Sequence, residues 1–446
     1  MREPAASGAE PAAPEPSVER SSAPLFWAQV AGNAGLLAAL VPITRALGPD
    51  GRGTLAFVTV TAIVAATVAR LGVTEATTVF AAQRPERRSV LLANVTIAVT
   101  VAAFVAACVV TGALLLAPAL RPAGLGDAEL VVMVLGMLAS ALTDAGYMFV
   151  LGCGRFRFHA VVTIVSAWAY AATIVIVAAG PGLTVVRAAS IWVLSQAVKA
   201  LVLLAASVRA EGVGVPSLRL LRESVAFGLR AWIGSLSSAF NERVDQILVA
   251  LLASEAVLGI YAAAVNAFEI LLYLAAASAT AILPLVARAG AGGRADRVLG
   301  AFRSVALVTA AGSIAAATLG PPLLPLVFGD AFDDSAAPFL WLLPGALGFA
   351  AMAIFSNALV ASGAPGRSSA GPLVSLAGGL VLDALLIPPL GATGAAIAAS
   401  AALLAGGATA LALYRARDDF PLRALAVPQR HDLELLRALG RPFSRR

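Results

Sequence analysis

Glu242, Arg243 and Asp245 lie inside the stretch FGLRAWIGSLSSAFNERVDQILVALL, residues 227–252, which is otherwise largely apolar and long enough to cross a bilayer as a helix. Its eleven Leu, Ile, Val and Phe side chains favour insertion by roughly 0.3–0.6 kcal/mol each, about 5 kcal/mol together. Three ionised groups held against lipid oppose it by roughly 2.5–3.5 kcal/mol each, about 8–10 kcal/mol together. The charges must therefore face one another or a wet interior. Ser235, Ser238, Glu242 and Asp245 recur at three and four residues and share a helix face, with Asn241 beside it. Arg243 stacks with Gln246, about 100° round from Glu242. Such a set can carry ions on its carboxylates, recognise an anion through its guanidinium, or neutralise itself and only fix helix packing.

Other ionisable residues fall inside apolar segments: Arg70 and Glu75 in the second, Asp144 in the fourth, Lys199 in the sixth, Glu269 in the eighth and Asp383 in the eleventh. Arg70, Lys199 and Arg243 are the expected substrate-binding cations. Together they would line a low-dielectric site for an anionic head group such as a pyrophosphate, which needs several donors. Lys199 could equally snorkel to the nearby interface. Glu75, Asp144, Glu242, Asp245 and Glu269 are expected as coupling or compensating charges that carry protons or sodium, and nothing in the sequence chooses between those ions. Asp383, five residues before Pro388, is expected near an interface.

The elements that position these residues follow from composition and periodicity. The 446 residues are 60% hydrophobic and 13% charged, with mean hydropathy +0.89. That balance belongs to an all-α polytopic membrane protein and not to a soluble domain. Twelve apolar segments are long enough to span: 25–46, 54–82, 89–118, 128–152, 158–180, 184–208, 224–252, 256–287, 299–319, 336–362, 370–389 and 391–414. The run PPLLPLVFG, 321–329, reads as a broken segment before the tenth. Residues 1–23 read as a disordered tail, 24–208 as a six-helix lobe, 209–223 as a linker, 224–414 as a second six-helix lobe and 415–446 as a basic tail. Leu433, Leu436 and Leu439 in that tail suit an amphipathic helix on the membrane surface, or a solvated tail.

Loop charges alternate in step with the spans. Arg84, Arg87 and Arg88 follow the second span, Arg155 and Arg157 the fourth, Arg209, Arg219 and Arg222 the sixth, Arg288, Arg294 and Arg297 the eighth, and Arg367 the tenth. The odd-numbered loops carry Asp50 balancing Arg52, Asp127 and Glu129 after Arg121, Glu255 alone, and Asp330, Asp333 and Asp334. The positive-inside rule then places the even loops and both termini in the cytoplasm, with the chain in the cytoplasmic membrane. The net charge of +6 reports those loops, and nucleic acid is not an expected partner. Cys108 and Cys153 offer neither a disulfide framework nor a metal spacing, and His159 and His431 read as loop or tail residues. No phosphate-binding GxxxxGK[ST] loop, HExxH or GxSxG is present, and no loop has room for a catalytic domain, so no cofactor, metal or enzymatic activity is expected.

The segments LGPDGRGTLAF (47–57) and LASEAVLGIYA (252–262) are similar, and each precedes a long span ending in an arginine. The offset covers six spans, an even number, so the two halves enter the membrane from the same side as parallel repeats around a central cavity. The first-span positions that match the 242–245 cluster are apolar, so that cluster is not a shared packing device.

RALGPDGRGTLAF (45–57), RLGVTEATTVFAAQR (70–84), NERVDQILVALLASEAVLGIYAAAVNAFEIL (241–271) and ATAILPLVAR (279–288) carry a resemblance. From Phe26 to Tyr414 the chain resembles an oligosaccharide flippase of the multidrug/oligosaccharidyl-lipid/polysaccharide exporter superfamily. In that family the seventh span typically carries an Arg/Asp pair, followed by Gly-Tyr at the head of the eighth. The matching residues are Arg243 and Asp245, then Gly259 and Tyr261, with Ile260 as an intervening departure. The resemblance implies a lipid-linked, pyrophosphate-bearing oligosaccharide as substrate, moved across the bilayer for cell-surface polysaccharide assembly. An ion-coupled multidrug exporter of the same architecture and a membrane-embedded polysaccharide polymerase or ligase stand as alternatives. The latter would ordinarily need a longer outer loop than this chain has.

Overall fold

Packing twelve spans into so little loop requires sharp reversals, and two of them are single glycines. Gly48, at φ 65°, breaks the long helix α1 (Val18–Ala69) into the first span and most of the second. Gly391, at φ 55°, breaks α12 (Ala370–Arg415) into the last two spans. Only a residue without Cβ adopts that left-handed region without strain. The computed structural model describes residues 18–117, 120–287, 294–362 and 364–425, and all regular structure among them is helical.

Between those two helices run α2 (Val73–Gln83), α3 (Arg88–Leu116), α4 (Asp127–Gly152), α5 (Phe156–Ala179), α6 (Val185–Glu211), α7 (Leu218–Leu252), α8 (Glu255–Ala287), α9 (Arg294–Phe328), α10 (Ala336–Ala361) and the short α11 (Pro365–Ser368). Among the described residues nine helices are long and apolar enough to cross a membrane. The count reaches twelve spans because α1 and α12 are each two spans joined at a glycine, while α7 is absent from the nine.

Two expectations are corrected. The run from Pro321 to Phe328 is no separate broken segment, because α9 continues through Pro321, Pro322 and Pro325 to Phe328. Each proline removes one backbone donor, which a membrane helix tolerates where neighbours cover the freed carbonyls. Leu324 and Phe328 are buried in the main core there, and the Arg45 guanidinium donates to the carbonyls of Leu326 and Val327. Helix α1 also begins at Val18, several residues before the expected end of the N-terminal tail.

Helices α1 to α6 pack mainly on one another, as do α8 to α12. Helix α7 belongs to both groups. Its first half lies against α2 and α3, and its second half against α8 and α12. The buried core is mostly Ala, Leu, Val and Phe, while Phe104, Val109, Val165, Ile176 and Leu201 are exposed, as lipid-facing side chains are. The start of the basic tail folds back. Phe420 is buried beside Tyr414, and Arg303 donates to the Ala424 carbonyl at 2.6 Å. The leucine-rich stretch 433–439 lies outside the described residues.

Candidate functional site

One end of the bundle carries the arginine-rich loops and the other the acidic ones, here called the basic and acidic ends. The two halves touch at both. At the acidic end the two repeat-related segments meet each other. Gly53 lies against the backbone of Glu255, and Gly259 against the backbone of Pro49, so closely that a Cβ at either would overlap the opposite carbonyl. The Glu255 carboxylate accepts from the Gly124 N–H, and Ser335 Oγ donates to the Ile260 carbonyl at 3.0 Å.

The seam at the basic end has different parts. Trp232 Nε1 donates to the Thr67 carbonyl at 3.1 Å, and Gly72 packs on Gly228. The Phe80 and Phe227 rings are 5.1 Å apart, the Arg84 guanidinium covers Phe80, and it reaches Glu223 at 2.6 Å. The hydrogen bond from Arg84 holds the Glu223 carboxyl below its ordinary value, and the same bond raises Arg84.

Between the seams the ionisable residues form two groups. The first is nearer the acidic end. Arg243 binds Glu269 across α7 and α8 at 3.0 Å, and Glu242 stands in electrostatic range of both. The Tyr261 hydroxyl donates to Asp245 at 2.5 Å, and the Gln246 N–H donates to the same carboxylate at 2.7 Å. Asn241 accepts from Ser375 on α12 at 3.0 Å.

Two residues join this group that sequence reasoning placed elsewhere. Arg52, assigned to loop charge balance, is only 8% exposed and feels the charges of Arg243 and Glu269, with Tyr170 also in range. Its Nε has no hydrogen-bond partner among the described residues. Asp383, expected near an interface, is 2% exposed and stands in electrostatic range of Asp245 and Tyr261. The glycines flanking Arg52 in GRG were the available signal for the first. For the second, the break at Gly391, eight residues on, shows that Asp383 sits well inside its span.

The second group lies toward the basic end. Arg70 Nη1 is 3.8 Å from Asp144 Oδ2, and Lys199 and Glu75 are in electrostatic range of Asp144. Thr74 donates to one Glu75 oxygen at 2.8 Å, and among the described residues the other, buried, has no hydrogen-bond partner, nor has Arg70 Nε. The structure thus divides the three expected cations, grouping Arg70 with Lys199 and Arg243 with Arg52. His159, read as a loop residue, is in the first turn of α5 with its ring 4.6 Å from Tyr147. Among the described residues no cluster of His, Cys, Asp or Glu has the make-up of a metal site. The side chains of Arg230, Ser235, Ser238 and the 279–288 segment fall outside the description.

Two guanidiniums in a low-dielectric interior can hold an anion, and two nearby buried carboxylates, one of them bonded to a phenol, can take up a cation or a proton. Known proteins agree with the fold. The family model described as polysaccharide biosynthesis protein matches residues 21–289. No curated protein matches the sequence. A lipid II flippase MurJ in an inward closed conformation superposes with TM-score 0.74 at 12% identity, covering 95% of this chain and 91% of that one. An inward-facing multidrug resistance MATE family transporter of the MOP superfamily gives 0.66 at 15%, covering 86% and 94%. A MOP superfamily transporter from Pyrococcus furiosus gives 0.61 at 17%, covering 92% and 96%. This all-helical, multi-pass membrane fold is that of the flippases and transporters it superposes on.

Proposed function

Given that the chain belongs to the family of polysaccharide biosynthesis proteins, we propose that it moves a pyrophosphate-bearing, lipid-linked oligosaccharide from the inner to the outer leaflet of the cytoplasmic membrane. The basic end faces the cytoplasm, and both termini lie there. The two helix groups rock about the interior, so that one seam opens while the other stays shut.

The observation that supports this reading is that the buried Arg52 stands within electrostatic range of Arg243, so that one guanidinium from each half of the chain faces the interior. Two guanidiniums suit the several oxygens of a pyrophosphate, and their donors act strongly where water is excluded. The lipid chain stays in the bilayer while the head group crosses. Asp245, Asp383 and Tyr261 form the coupling element, taking up a proton or a sodium ion in one state and releasing it in the other. No ATP-binding motif is present to supply the work.

The Asp245–Asp383 pair would equally serve an ion-coupled exporter of small cationic compounds. The guanidiniums weigh against that substrate, since they repel a cation. Proteoliposomes containing labelled lipid-linked oligosaccharide test the choice. Wild-type protein should expose the label to an outside reagent, and the double variant Arg243→Ala with Asp245→Ala should not. Intact flipping by that variant would refute the site, and efflux of a cationic dye with no oligosaccharide movement would favour the exporter.

A further inference from the structure

Arg70, Asp144 and Lys199 are not used by the site just described, yet their surroundings are those of a binding site. Asp144 and Lys199 come from α4 and α6, and Arg70 from the turn between α1 and α2, the break near which the three charges gather. Leu71 and Gly72, both at positive φ, form that break and fix the direction of Arg70. Two residues beyond Arg70, Gly72 packs on Gly228 in the basic-end seam. When that seam parts, Arg70 is directly behind it.

The faces carrying these charges point inward. A groove of about 580 Å³ between α4 and α6 is lined by apolar residues such as Leu135, Leu142, Leu194 and Leu201. On a helical wheel those residues lie opposite Asp144 and Lys199. The groove thus takes the lipid side and the charges take the inner one. Asp144 is 37% exposed there, which a carboxylate facing acyl chains would not sustain.

The pairing is also loose. Arg70 and Asp144 are 3.8 Å apart, against 3.0 Å for Arg243 and Glu269. Arg70 Nε is buried and has no hydrogen-bond partner among the described residues. The set stands well apart from the first site. At 1.5 Å per residue, Lys199, Asp144 and Arg70 lie about 21–33 Å along their helices from Val185, Asp127 and Gly48 at the acidic end. Arg243 and Arg52 lie about 6–14 Å from Leu252 and Gly48 on the same reckoning.

We infer that Arg70 and Lys199 form a reception site for the pyrophosphate head group immediately behind the basic-end seam, separate from the Arg52–Arg243 site. Asp144 holds the two cations together while the site is empty. The phosphate oxygens displace it, bind both cations, and pass on toward Arg52 and Arg243 as the seam closes. This deepens the flippase reading and rests on it.

The test uses the full chain in proteoliposomes, with a fluorescent polyprenyl-pyrophosphoryl disaccharide supplied at the basic face and inorganic pyrophosphate as competitor. R70Q and K199Q should each raise the half-saturating lipid concentration about tenfold, the effect of one lost charge-assisted hydrogen bond. The maximum rate should stay within about twofold of wild type, because the later site is untouched. D144N should leave half-saturation unchanged or lower it. Unchanged half-saturation in both R70Q and K199Q overturns the proposal. So does a D144N defect equal to theirs, because the three would then only brace the helices. If R70Q fails to reach the membrane, R70K and K199Q carry the same comparison, with R70K expected to keep most of the affinity.

Inorganic pyrophosphate that competes in wild type but not in K199Q supports recognition of the bare anion. If it competes in neither while the K199Q shift persists, the ligand is the lipid-borne anion. Equal competition in both overturns the proposal. R243Q separates this site from the flippase site: full activity in R243Q with impaired R70Q would remove Arg243 from the mechanism and leave the reception site standing.

Discussion

Gly53→Ala and Gly259→Ala should force the acidic-end seam open. A Cβ at Gly53 would stand 2.7 Å from the Glu255 carbonyl carbon, and one at Gly259 would stand 2.7 Å from that of Pro49. Both carbons are well inside the 3.4 Å at which ordinary contact begins, and the carbonyl oxygens are closer still. The opposing atoms are backbone, so no side chain can swing away and the helices themselves must separate. Overpacking of this kind costs about 1–3 kcal/mol. Charged only to the state with this seam shut, it shifts the population toward the outward-open state by about 5- to 150-fold. Glu242→Cys, beside Arg243 in the interior, reports the shift in a background with Cys108 and Cys153 replaced, since both are free thiols. A membrane-impermeant maleimide added outside right-side-out vesicles should label it faster in both variants, within that range. Gly72→Ala and Gly228→Ala wedge the other seam and should slow outside labelling. Wild-type labelling of G53A and G259A, or the same direction of change for all four, would refute the two-seam account.

Two further outcomes follow from the ion pairs. Arg243→Ala and Glu269→Ala each strand a mostly buried charge and should each destabilise the protein by about 2–4 kcal/mol in equilibrium unfolding, while the double variant should lose less than the sum. Glu223 is held below its ordinary value by Arg84, so its bond stabilises the basic-end seam at any pH above that ordinary value and is lost as pH falls through the lowered one. Labelling of the interior cysteine from the basic face, taken relative to Glu223→Gln at the same pH so that the thiolate fraction cancels, should therefore be flat from neutral pH down to about 5 and rise toward that variant's level below about 4.5. Glu223→Gln should show the raised level already at neutral pH.

Much of the architecture is written in local sequence. Hydropathy and alternating loop charge mark the spans because lipid forces apolar length and the positive-inside rule sorts the loops. The run from Pro321 misled because proline is read as a helix stop, whereas the buried end of α9 tolerates three of them. The charged middle of α7 was plain, since nothing else explains three ions in an apolar helix. Its partners were not. Glu269 and Tyr261 lie 26 and 16 residues from Arg243 and Asp245, and only the packing of α8 on α7 brings each pair together. Arg52 was missed for the same reason. Asp50 two residues away offers a local explanation of its charge, while its real surroundings come from α5, α7 and α8. Asp383 was judged by Pro388, but its depth depends on the turn at Gly391.

The repeat gives the two seams unequal character, and this bears on direction. The acidic-end seam joins equivalent segments of the two halves backbone to backbone, through Gly53 and Gly259, and Glu255 ties it to the loop at Gly124. The basic-end seam has no such symmetry, because the start of α7 has left its own group to lie on α2 and α3. It is held by one close glycine contact, two aromatic rings, the Trp232–Thr67 hydrogen bond and the Arg84–Glu223 pair. That pair is half open to water, and exposed pairs of that kind contribute little to stability. The basic end should therefore open at lower cost in the empty protein. Faster labelling of the interior cysteine from that face than from the other measures the difference. On the proposed reading, loading from the cytoplasmic leaflet needs this bias, and Arg70, two residues behind the seam at Gly72, is placed to meet what enters.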